Sequence, residues 1–279
     1  MQLRTIRKIV TGTTQYDGAG VKLVRVVGHP DVEDFDPFLM MDAFDSVDPA
    51  DYIKGFPWHP HRGIETVTYL IRGDIEHGDS LGNKGSILDG CCQWMTAGKA
   101  ILHQEMPQPS EQMLGVQVWL NLPRKNKMVS PQYRDLRAEL IPVIEEEGCK
   151  IGIIAGHYKE HQGATQGDYV KATFLDVDIS ADTTWSYTTN PEETLFVYIV
   201  VGEGLFGGAD KQLLSEKRAV LFGKGDELIV STGKENLRIF VFSGKPLREA
   251  IAWGGPIVMN TGDEIDKAFK EIREGTFGK

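Results

Sequence analysis

Cysteine is scarce in this chain of 279 residues, and long apolar runs are missing from it. The three cysteines, Cys91, Cys92 and Cys149, form an odd and sparse set, which argues against a disulfide framework. No apolar run approaches the roughly 18 residues that a transmembrane helix requires, so we expect no membrane span. The opening residues, MQLRTIRKIVTGTTQYDG, lack the apolar core of a secretory signal. We therefore expect a cytoplasmic protein, or a nuclear one if the source is a eukaryote.

Basic residues do not outnumber acidic ones. The formal net charge is −10, and the pI is about 5.2. Direct binding to nucleic acid depends on lysines and arginines that neutralise phosphates, so this composition argues against it. A role on nucleic acid would then require a protein partner, and an acidic surface suits a basic one.

Glycine, by contrast, is abundant, with 31 residues, and much of it separates short apolar runs. This punctuation predicts many short strands in an all-β sandwich or barrel. The clearest predicted strands lie at residues 21–28, 65–73, 115–123, 150–156, 194–204 and 236–244.

The two halves of the chain repeat one pattern. The runs YLIRG at 69–73 and YIVVG at 198–202 each lead through a turn-rich stretch to a motif of small residues. That motif is TAG at 96–98 in the first half and STG at 231–233 in the second. Two copies of one β-barrel unit would explain the repeat.

The repeat predicts two domains. We expect an N-terminal domain over residues 1–130 and a C-terminal domain over residues 145–279. The connection near 124–148 ends in the acidic run EEEG, which is typical of a solvated segment.

One helix is predicted at the end of the C-terminal domain. Apolar residues recur there at i, i+3, i+4 and i+7, starting from Ile265. Thr261 with Glu264 fits a capping box, and Gly275 fits a C-terminal stop.

Two short motifs indicate a metal site. FPWHPHRGIETVTYL places His59 and His61 two positions apart, just before a predicted strand. Side chains at i and i+2 of a strand share a face, so the two imidazoles would aim at one point. QWMTAGKAILHQEMP repeats the arrangement with His103 and Glu105. Three neutral imidazoles and one carboxylate suit a first-row metal, and octahedral coordination would leave two cis positions open.

Spacing alone leaves the carboxylate ligand open. Glu65 has the parity to share a strand face with His59 and His61, whereas Glu105 has the parity to share one with His103. Both alternatives stand at this point.

The remaining histidines carry less weight. His157 and His161 are four positions apart and fit one face of a helix, but no third ligand lies near them in sequence. His77 lies in a turn-rich stretch, where we expect it to face solvent or the rim of the pocket.

Four stretches together resemble the pirin family of the cupin superfamily. They are FDPFLMMDAF, GFPWHPHRGIETVTYL, QWMTAGKAILHQEMP and GGPIVMNTGDEIDKAF, and they run almost from end to end of the chain. The resemblance implies an all-β bicupin, with two stacked β-barrels (double-stranded β-helix) and a C-terminal helix. It also implies that the N-terminal barrel binds iron through His59, His61, His103 and Glu105, and that the C-terminal barrel lacks a metal.

The resemblance favours Glu105 over Glu65 and implies an activity like that of quercetin 2,3-dioxygenases. Such an enzyme would use O2 at one mononuclear metal to cleave a flavonol or a similar small aromatic enol or phenol, with Glu105 as the catalytic base. Fe(II) is the first expectation, and Mn, Ni, Co, Cu and Zn also fit the ligands. One alternative is an iron-dependent, redox-sensitive regulator that binds a transcription factor or a metabolic enzyme. Another is a bicupin with non-oxidative chemistry such as isomerisation.

Three departures from the family pattern leave every ligand position intact. Trp58 stands where pirins often have an acidic residue, residues 90–92 read GCC where Gly-Asp is usual, and residues 99–100 read KA where Arg-Gly is common. We expect Trp58 and Lys99 at the pocket mouth, where they would bear on the substrate and not on the metal.

Overall fold

The structure is a computed structural model that describes residues 2–208 and 211–279. The described residues form two compact units, which we name after the larger segment of each. The segments of the C-terminal unit are Met1–Thr13, Val26–Pro37 and Glu139–Pro246. The segments of the N-terminal unit are Thr14–Arg25, Phe38–Ala138 and Leu247–Lys279.

Strands supply most of the regular structure. In chain order, the first are β1 (Ile6–Thr11), β2 (Thr13–Asp17), β3 (Val21–Val27), β4 (Phe38–Ser46), β5 (Phe56–His61), β6 (Ile64–Arg72), β7 (Ile75–Asp79), β8 (Lys84–Ile87), β9 (Cys92–Thr96), β10 (Ile101–Pro107), β11 (Met113–Asn121) and β12 (Gln132–Leu136). Those that follow are β13 (Val143–Glu146), β14 (Cys149–Ala155), β15 (His157–Tyr158), β16 (His161–Gln162), β17 (Thr173–Ile179), β18 (Thr184–Thr188), β19 (Thr194–Val201), β20 (Glu203–Phe206), β21 (Gln212–Ser215), β22 (Arg218–Phe222), β23 (Glu227–Ser231), β24 (Leu237–Gly244), β25 (Ala252–Gly254) and β26 (Ile257–Met259).

Helical structure is short by comparison. The α-helices are α1 (Val32–Phe35) and α2 (Gly262–Glu274), and 3-10 turns lie at His29–Asp31, Pro49–Asp51, Arg124–Asn126 and Ala138–Leu140. Within residues 2–208 and 211–279, no helix has the length and apolarity that a bilayer crossing requires.

Two sheets build the N-terminal unit. The larger has the strand order β12-β9-β6-β11-β4-β3-β2, and the smaller has the order β5-β10-β7-β8. Apolar side chains from both sheets pack into one buried cluster, with Phe44 and Leu70 from the larger sheet and Ile75 and Ile87 from the smaller. Burial of such side chains is the main contribution that holds the two sheets face to face.

The C-terminal unit repeats this design strand for strand. Its larger sheet has the order β1-β22-β19-β24-β17-β14-β13, and its smaller sheet has the order β18-β23-β20-β21. Val197 and Val241 from the larger sheet pack with Leu228 and Val230 from the smaller in a core of fully buried residues. The predicted all-β fold with two cupin domains and a C-terminal helix is confirmed.

Part of the sequence repeat connects strands that are not equivalent. The TAG motif at 96–98 follows β9, whereas the STG motif at 231–233 follows β23, and β23 occupies the sheet position of β10. The runs at 69–73 and 198–202 cover the ends of the equivalent strands β6 and β19, so this part of the repeat is correct. The match between the two small-residue motifs is wrong.

Each end of the chain belongs to the unit formed mainly by the other half of the sequence. β1 pairs with β22, from Ile6 opposite Phe222 to Thr11 opposite Arg218, so the first strand belongs to the C-terminal unit. The segment Leu247–Lys279 belongs to the N-terminal unit. The two units therefore do not coincide with the linear division into residues 1–130 and 145–279.

Helix α2 follows its sequence signals. The Thr261 side chain accepts from the backbone N–H of Glu264, the Glu264 carboxylate accepts from the Thr261 N–H, and Gly275 ends the helix with a φ of +65°. Ala268 is fully buried in a cluster with β26. The capping box and the glycine stop are confirmed.

The helical interpretation of His157 and His161 is wrong. His157 lies on β15 and His161 on β16, and these short strands pair with each other as a hairpin. The chain reverses between them at Lys159, whose φ is +51°.

Candidate metal centre

Three imidazoles meet inside the N-terminal unit. β5 and β10 run antiparallel, and His59 lies directly opposite His103, with His61 two positions further along β5. One ligand atom from each of the three residues lies within 4.8 Å of the others. The ring centroids of His59 and His103 are 4.3 Å apart, and those of His61 and His103 are 5.0 Å apart. The three predicted histidine ligands are therefore brought together.

Backbone carbonyls set the tautomers of two of these rings. His59 Nδ1 lies 2.8 Å from the Pro57 carbonyl oxygen, and His61 Nδ1 lies 3.1 Å from that of Pro256. A carbonyl oxygen only accepts, so both Nδ1 atoms donate and both Nε2 atoms of the neutral rings carry lone pairs. The two Nε2 atoms face each other at 3.1 Å. Two lone pairs at this distance repel unless a cation binds them, which fits a metal.

The third ring points to the same conclusion. His103 Nε2 is buried and has no hydrogen-bond partner among the described residues. His61 and His103 are each 2% exposed. Burial, together with the neighbouring imidazoles, lowers the pKa of both residues well below the usual range. Both rings are therefore neutral at pH 7, as metal coordination requires.

Glu105 lies beside the histidine cluster and is not part of it. The strand register between β5 and β10 shifts after His103, and Glu105 falls opposite Phe56. Its carboxylate is 3% exposed and accepts from Gln117 Nε2 at 2.8 and 2.9 Å and from the Thr68 hydroxyl at 3.3 Å. Its role as fourth ligand of a metal stays a prediction.

Glu65 occupies a different sheet from His59 and His61. β5 ends at His61, the chain turns at Gly63 with a φ of +79°, and Glu65 lies on β6. It is fully buried, and its Oε1 accepts from the Thr96 hydroxyl at 2.7 Å. The parity that placed Glu65 on the face of the histidines does not continue through this turn.

His77 is a neighbour of the site that the sequence did not indicate. It was expected to face solvent or the pocket rim, but it is buried on β7, directly opposite Glu105. Its Nε2 lies 2.5 Å from the Tyr133 hydroxyl, which donates to Asp135 Oδ1. Burial lowers the pKa of His77. The alternation of Ile75 and His77 in a short strand was the signal available for this position.

The C-terminal segment supports the turn that follows His61. The Arg62 guanidinium, 3% exposed, donates to the Lys99 carbonyl at 2.5 Å and pairs with the Glu271 carboxylate at 2.6 Å. The guanidinium carbon also lies 4.4 Å from the centre of the Phe277 ring. Helix α2 and the residues after it therefore fix the position of a residue adjacent to a predicted ligand.

Lys127 makes a second connection to the same turn. Its ammonium donates to the carbonyls of Gly63 at 2.8 Å and Val258 at 3.0 Å, and to Asn121 Oδ1 at 2.5 Å. Three oxygen acceptors match the three donors of a lysine. Burial lowers the pKa of Lys127 to about 7.

A small apolar cavity lies on the core side of Glu105. Its volume is about 10 Å³, and its walls include Phe44, Tyr52, Phe56 and Met113. This volume accommodates about one water molecule. The cavity is therefore too small for an organic ligand, and His59 is the one member of the histidine cluster that is partly exposed.

The equivalent strands of the C-terminal unit present a different interior. β18 and β23 turn Trp185, Tyr187, Leu228 and Val230 into the core. The rings of Trp185 and Tyr187 stack at 5.7 Å, and each also stacks with Tyr158. The absence of a metal from this unit stays a prediction.

A duplicated two-sheet domain with a histidine cluster on paired strands of one copy defines a bicupin. Family models agree: the model described as Pirin matches residues 20–120, and the model described as Pirin C-terminal cupin domain matches residues 174–278. The chain belongs to the pirin family.

Relatives and solved structures agree with this assignment. The chain is 39% identical over 278 residues to a Pseudomonas aeruginosa protein named "Putative quercetin 2,3-dioxygenase", with 98% of this chain and 97% of the relative covered. It is 37% identical over 280 residues to a "Pirin-like protein" of Caulobacter vibrioides, with 99% and 100% covered. A crystal structure named as quercetin 2,3-dioxygenase from Acinetobacter baumannii matches with a TM-score of 0.89 and 29% identity over 99% of both chains.

Proposed function

We propose that this chain is a metal-dependent dioxygenase that cleaves a flavonol, or a similar enol or phenol, in the manner of quercetin 2,3-dioxygenases. The proposal depends most on the two Nε2 lone pairs of His59 and His61 that face each other at 3.1 Å. The buried Nε2 of His103, which has no hydrogen-bond partner in the described part of the chain, completes the set. The names of two of the matched proteins support the reaction type.

The ligand set determines what the site would hold. His59, His61 and His103 would bind one divalent metal, with Glu105 as the proposed fourth ligand. We propose Fe(II), and Mn, Ni, Co, Cu and Zn fit the same donors. When bound, the metal would supply Lewis acidity that lowers the pKa of a substrate hydroxyl, and a centre for reaction with O2.

Glu105 would act as the base. Its carboxylate would accept the proton of the substrate hydroxyl once that hydroxyl lies within hydrogen-bond reach. Gln117 and Thr68 hold the carboxylate in place through three hydrogen bonds. Because Glu105 is only 3% exposed, solvent does not compete for the transferred proton.

The overall reaction fixes what an assay must detect. One flavonol and one O2 would give one ring-opened ester and one CO, with both oxygen atoms of O2 in the products. The buried walls of the N-terminal unit would exclude water and hold the substrate in one orientation. Residues around the partly exposed His59 would then select the natural substrate.

Oxygen uptake with quercetin tests the proposal. Protein reconstituted anaerobically with Fe(II) is compared with the double variant His59→Ala/His61→Ala and with His161→Ala, whose exposed imidazole lies on β16. We expect uptake and CO release from the wild type and from His161→Ala, and neither from the double variant.

No uptake despite one bound iron per chain would overturn the dioxygenase. The alternative would then be a redox-sensitive regulator. The net charge of −10 is consistent with it, because an acidic surface suits a basic protein partner. A pull-down that depends on metal would test that alternative, and turnover without oxygen consumption would indicate isomerisation.

A further inference from the structure

The C-terminal unit contains a cavity that the proposed function does not use. Its volume is about 500 Å³, within the range of small-molecule sites. It is lined by β18, the edge strand of the smaller sheet, and by residues at the end of β13 and the start of β14, which form an edge of the larger sheet. The cavity therefore occupies the gap between two sheet edges of one domain.

The lining offers mostly hydrogen-bond acceptors and hydroxyls. Thr184, Ser186 and Thr188 recur at every second position of β18, so their hydroxyls form a row on its exposed face. Glu146 and Glu147 supply two carboxylates, and Lys159 and His157 complete the polar lining. Trp185 and Tyr187, 2% and 9% exposed, alternate with these residues along β18 and also contribute to the lining.

One of the carboxylates is held by a chain of hydrogen bonds. Trp185 Nε1 donates to the Tyr158 hydroxyl at 3.1 Å, and that hydroxyl donates to Glu146 Oε2 at 3.0 Å. The Lys159 ammonium pairs with Glu146 Oε1. Among the described residues, no hydrogen bond or ion pair engages the Glu147 side chain. The cavity thus has one fixed carboxylate and one available carboxylate.

The backbone conformation of Lys159 sets where its side chain lies. Its φ of +51° lies in the left-handed region, which residues with a side chain rarely adopt. Here the conformation turns the β15–β16 hairpin and brings the ammonium of Lys159 onto Glu146.

We propose that this cavity binds a neutral polyhydroxylated ligand of the size of a monosaccharide or an inositol. Hydroxyl groups of the ligand would donate to the carboxylates of Glu146 and Glu147 and exchange hydrogen bonds with the hydroxyl row of β18. Two carboxylates against one ammonium, which is already paired, disfavour an anion. The rings of Trp185 and Tyr187 are too little exposed to stack on a large planar ligand.

Ligand-observed saturation-transfer NMR on the full chain tests this site. The probes are myo-inositol and methyl α-D-glucopyranoside, with glucose 6-phosphate as the anionic comparison. We expect millimolar binding of both neutral probes and weaker binding of the phosphate. This experiment does not measure oxygen uptake. Its result is therefore independent of whether the proposed dioxygenase activity is correct.

Matched variants locate the binding. Glu147→Gln should weaken it about tenfold, since a charge-assisted hydrogen bond is lost. Ser186→Tyr should abolish binding by filling the cavity, with Thr188→Tyr as a second blocking variant if the first does not fold. Glu145→Gln is the control, because Glu145 is exposed on β13 and does not line the cavity.

Three results would overturn the proposal. They are no saturation transfer to either neutral probe well above millimolar concentration, transfer that persists in a folded blocking variant, and tighter binding of glucose 6-phosphate than of the neutral probes.

Discussion

A single residue, His61, shows how a side chain is prepared for a metal by the groups around it. Its Nδ1 donates to the Pro256 carbonyl oxygen, which fixes the tautomer and leaves the lone pair on Nε2, directed at the site. Its ring packs edge-on against Trp119, with 4.9 Å between the centroids, which restricts rotation. The sequence predicted the three histidines because their spacing is local. It did not indicate Pro256 or His77, because a strand pattern does not show which distant group lies opposite.

Acid should remove the metal from this site. The pKa values of His61 and His103 are lowered by burial, so protons compete with the metal only below the usual histidine pKa of about 6.5. Without metal, the folded state then binds fewer protons than the unfolded state just below that pH. Its stability is fully present above about pH 6.5 and is lost as the pH falls towards the lowered folded-state values.

Metal content after dialysis between about pH 7.5 and 4 measures the first effect, and urea midpoints of the metal-free protein measure the second. Metal content that stays constant down to about pH 4 would contradict coordination by these imidazoles.

Gln117 should affect the rate of the proposed reaction by positioning the Glu105 carboxylate. Gln117→Leu removes two hydrogen bonds from the Glu105 carboxylate. We expect oxygen uptake to fall by about 10- to 100-fold, as is usual for groups that orient a reacting residue. The dependence of the rate on pH should change as well, because the proposed proton acceptor loses two of its hydrogen-bond donors.

Gln104→Leu is the control for this change, since Gln104 lies on β10 next to Glu105 and alternation along the strand turns its side chain to the other face. Equal losses in the two variants, or a Gln117→Leu variant with wild-type rate and pH profile, would show that Gln117 does not position the proposed base.

At the scale of the element, strands and helices with local sequence signals were predicted correctly, whereas the turns and pairings that connect them were not. The capping residues of α2 and the apolar run of β6 are local, and both elements form where the sequence placed them. The parity of Glu65 failed because it assumed one continuous strand through Gly63. The pairing of β1 with β22 has no sequence signal, since the edge of a sheet accepts any strand of suitable pattern.

Gly63 should not tolerate a side chain. A Cβ atom there would lie 1.9 Å from the Val258 carbonyl oxygen, and the φ of +79° is unfavourable for any other residue. We expect Gly63→Ala to destabilise the N-terminal unit by about 2 kcal/mol or more and to reduce metal content. Urea unfolding and metal analysis of the same samples measure both effects.

Gly262→Ala offers a matched comparison at the start of α2. Nothing lies within 4 Å of a Cβ atom at this position, so the substitution should be close to neutral. If the two alanine variants are equally stable, the close approach of Gly63 to the C-terminal segment does not matter for the fold.

At the scale of the whole molecule, each unit is completed by a segment from the far end of the chain. β1 supplies the edge of the larger sheet in the C-terminal unit, and Ile6 and Ile9 pack against its core. Removal of residues up to Thr11 should therefore destabilise that unit by about 2 kcal/mol or more, while the histidine site keeps its metal.

Fluorine NMR with 5-fluorotryptophan separates the two units, because the C-terminal unit contains Trp185 and the other four tryptophans belong to the N-terminal unit. We expect the Trp185 signal of the truncated chain to change at a lower urea concentration and the other signals to keep their midpoints. A common shift of all five signals would show that the units unfold together.

The contact between His61 and the Pro256 carbonyl also sets an order of events during synthesis. The two residues are separated by 195 positions, which a ribosome covers in about 10 to 40 s at 5–20 residues per second. During that interval β5 and β10 can already be paired, but His61 lacks the acceptor that fixes its tautomer. A chain interrupted before Pro256 would therefore carry an immature centre, and metal insertion would distinguish finished molecules from truncated ones.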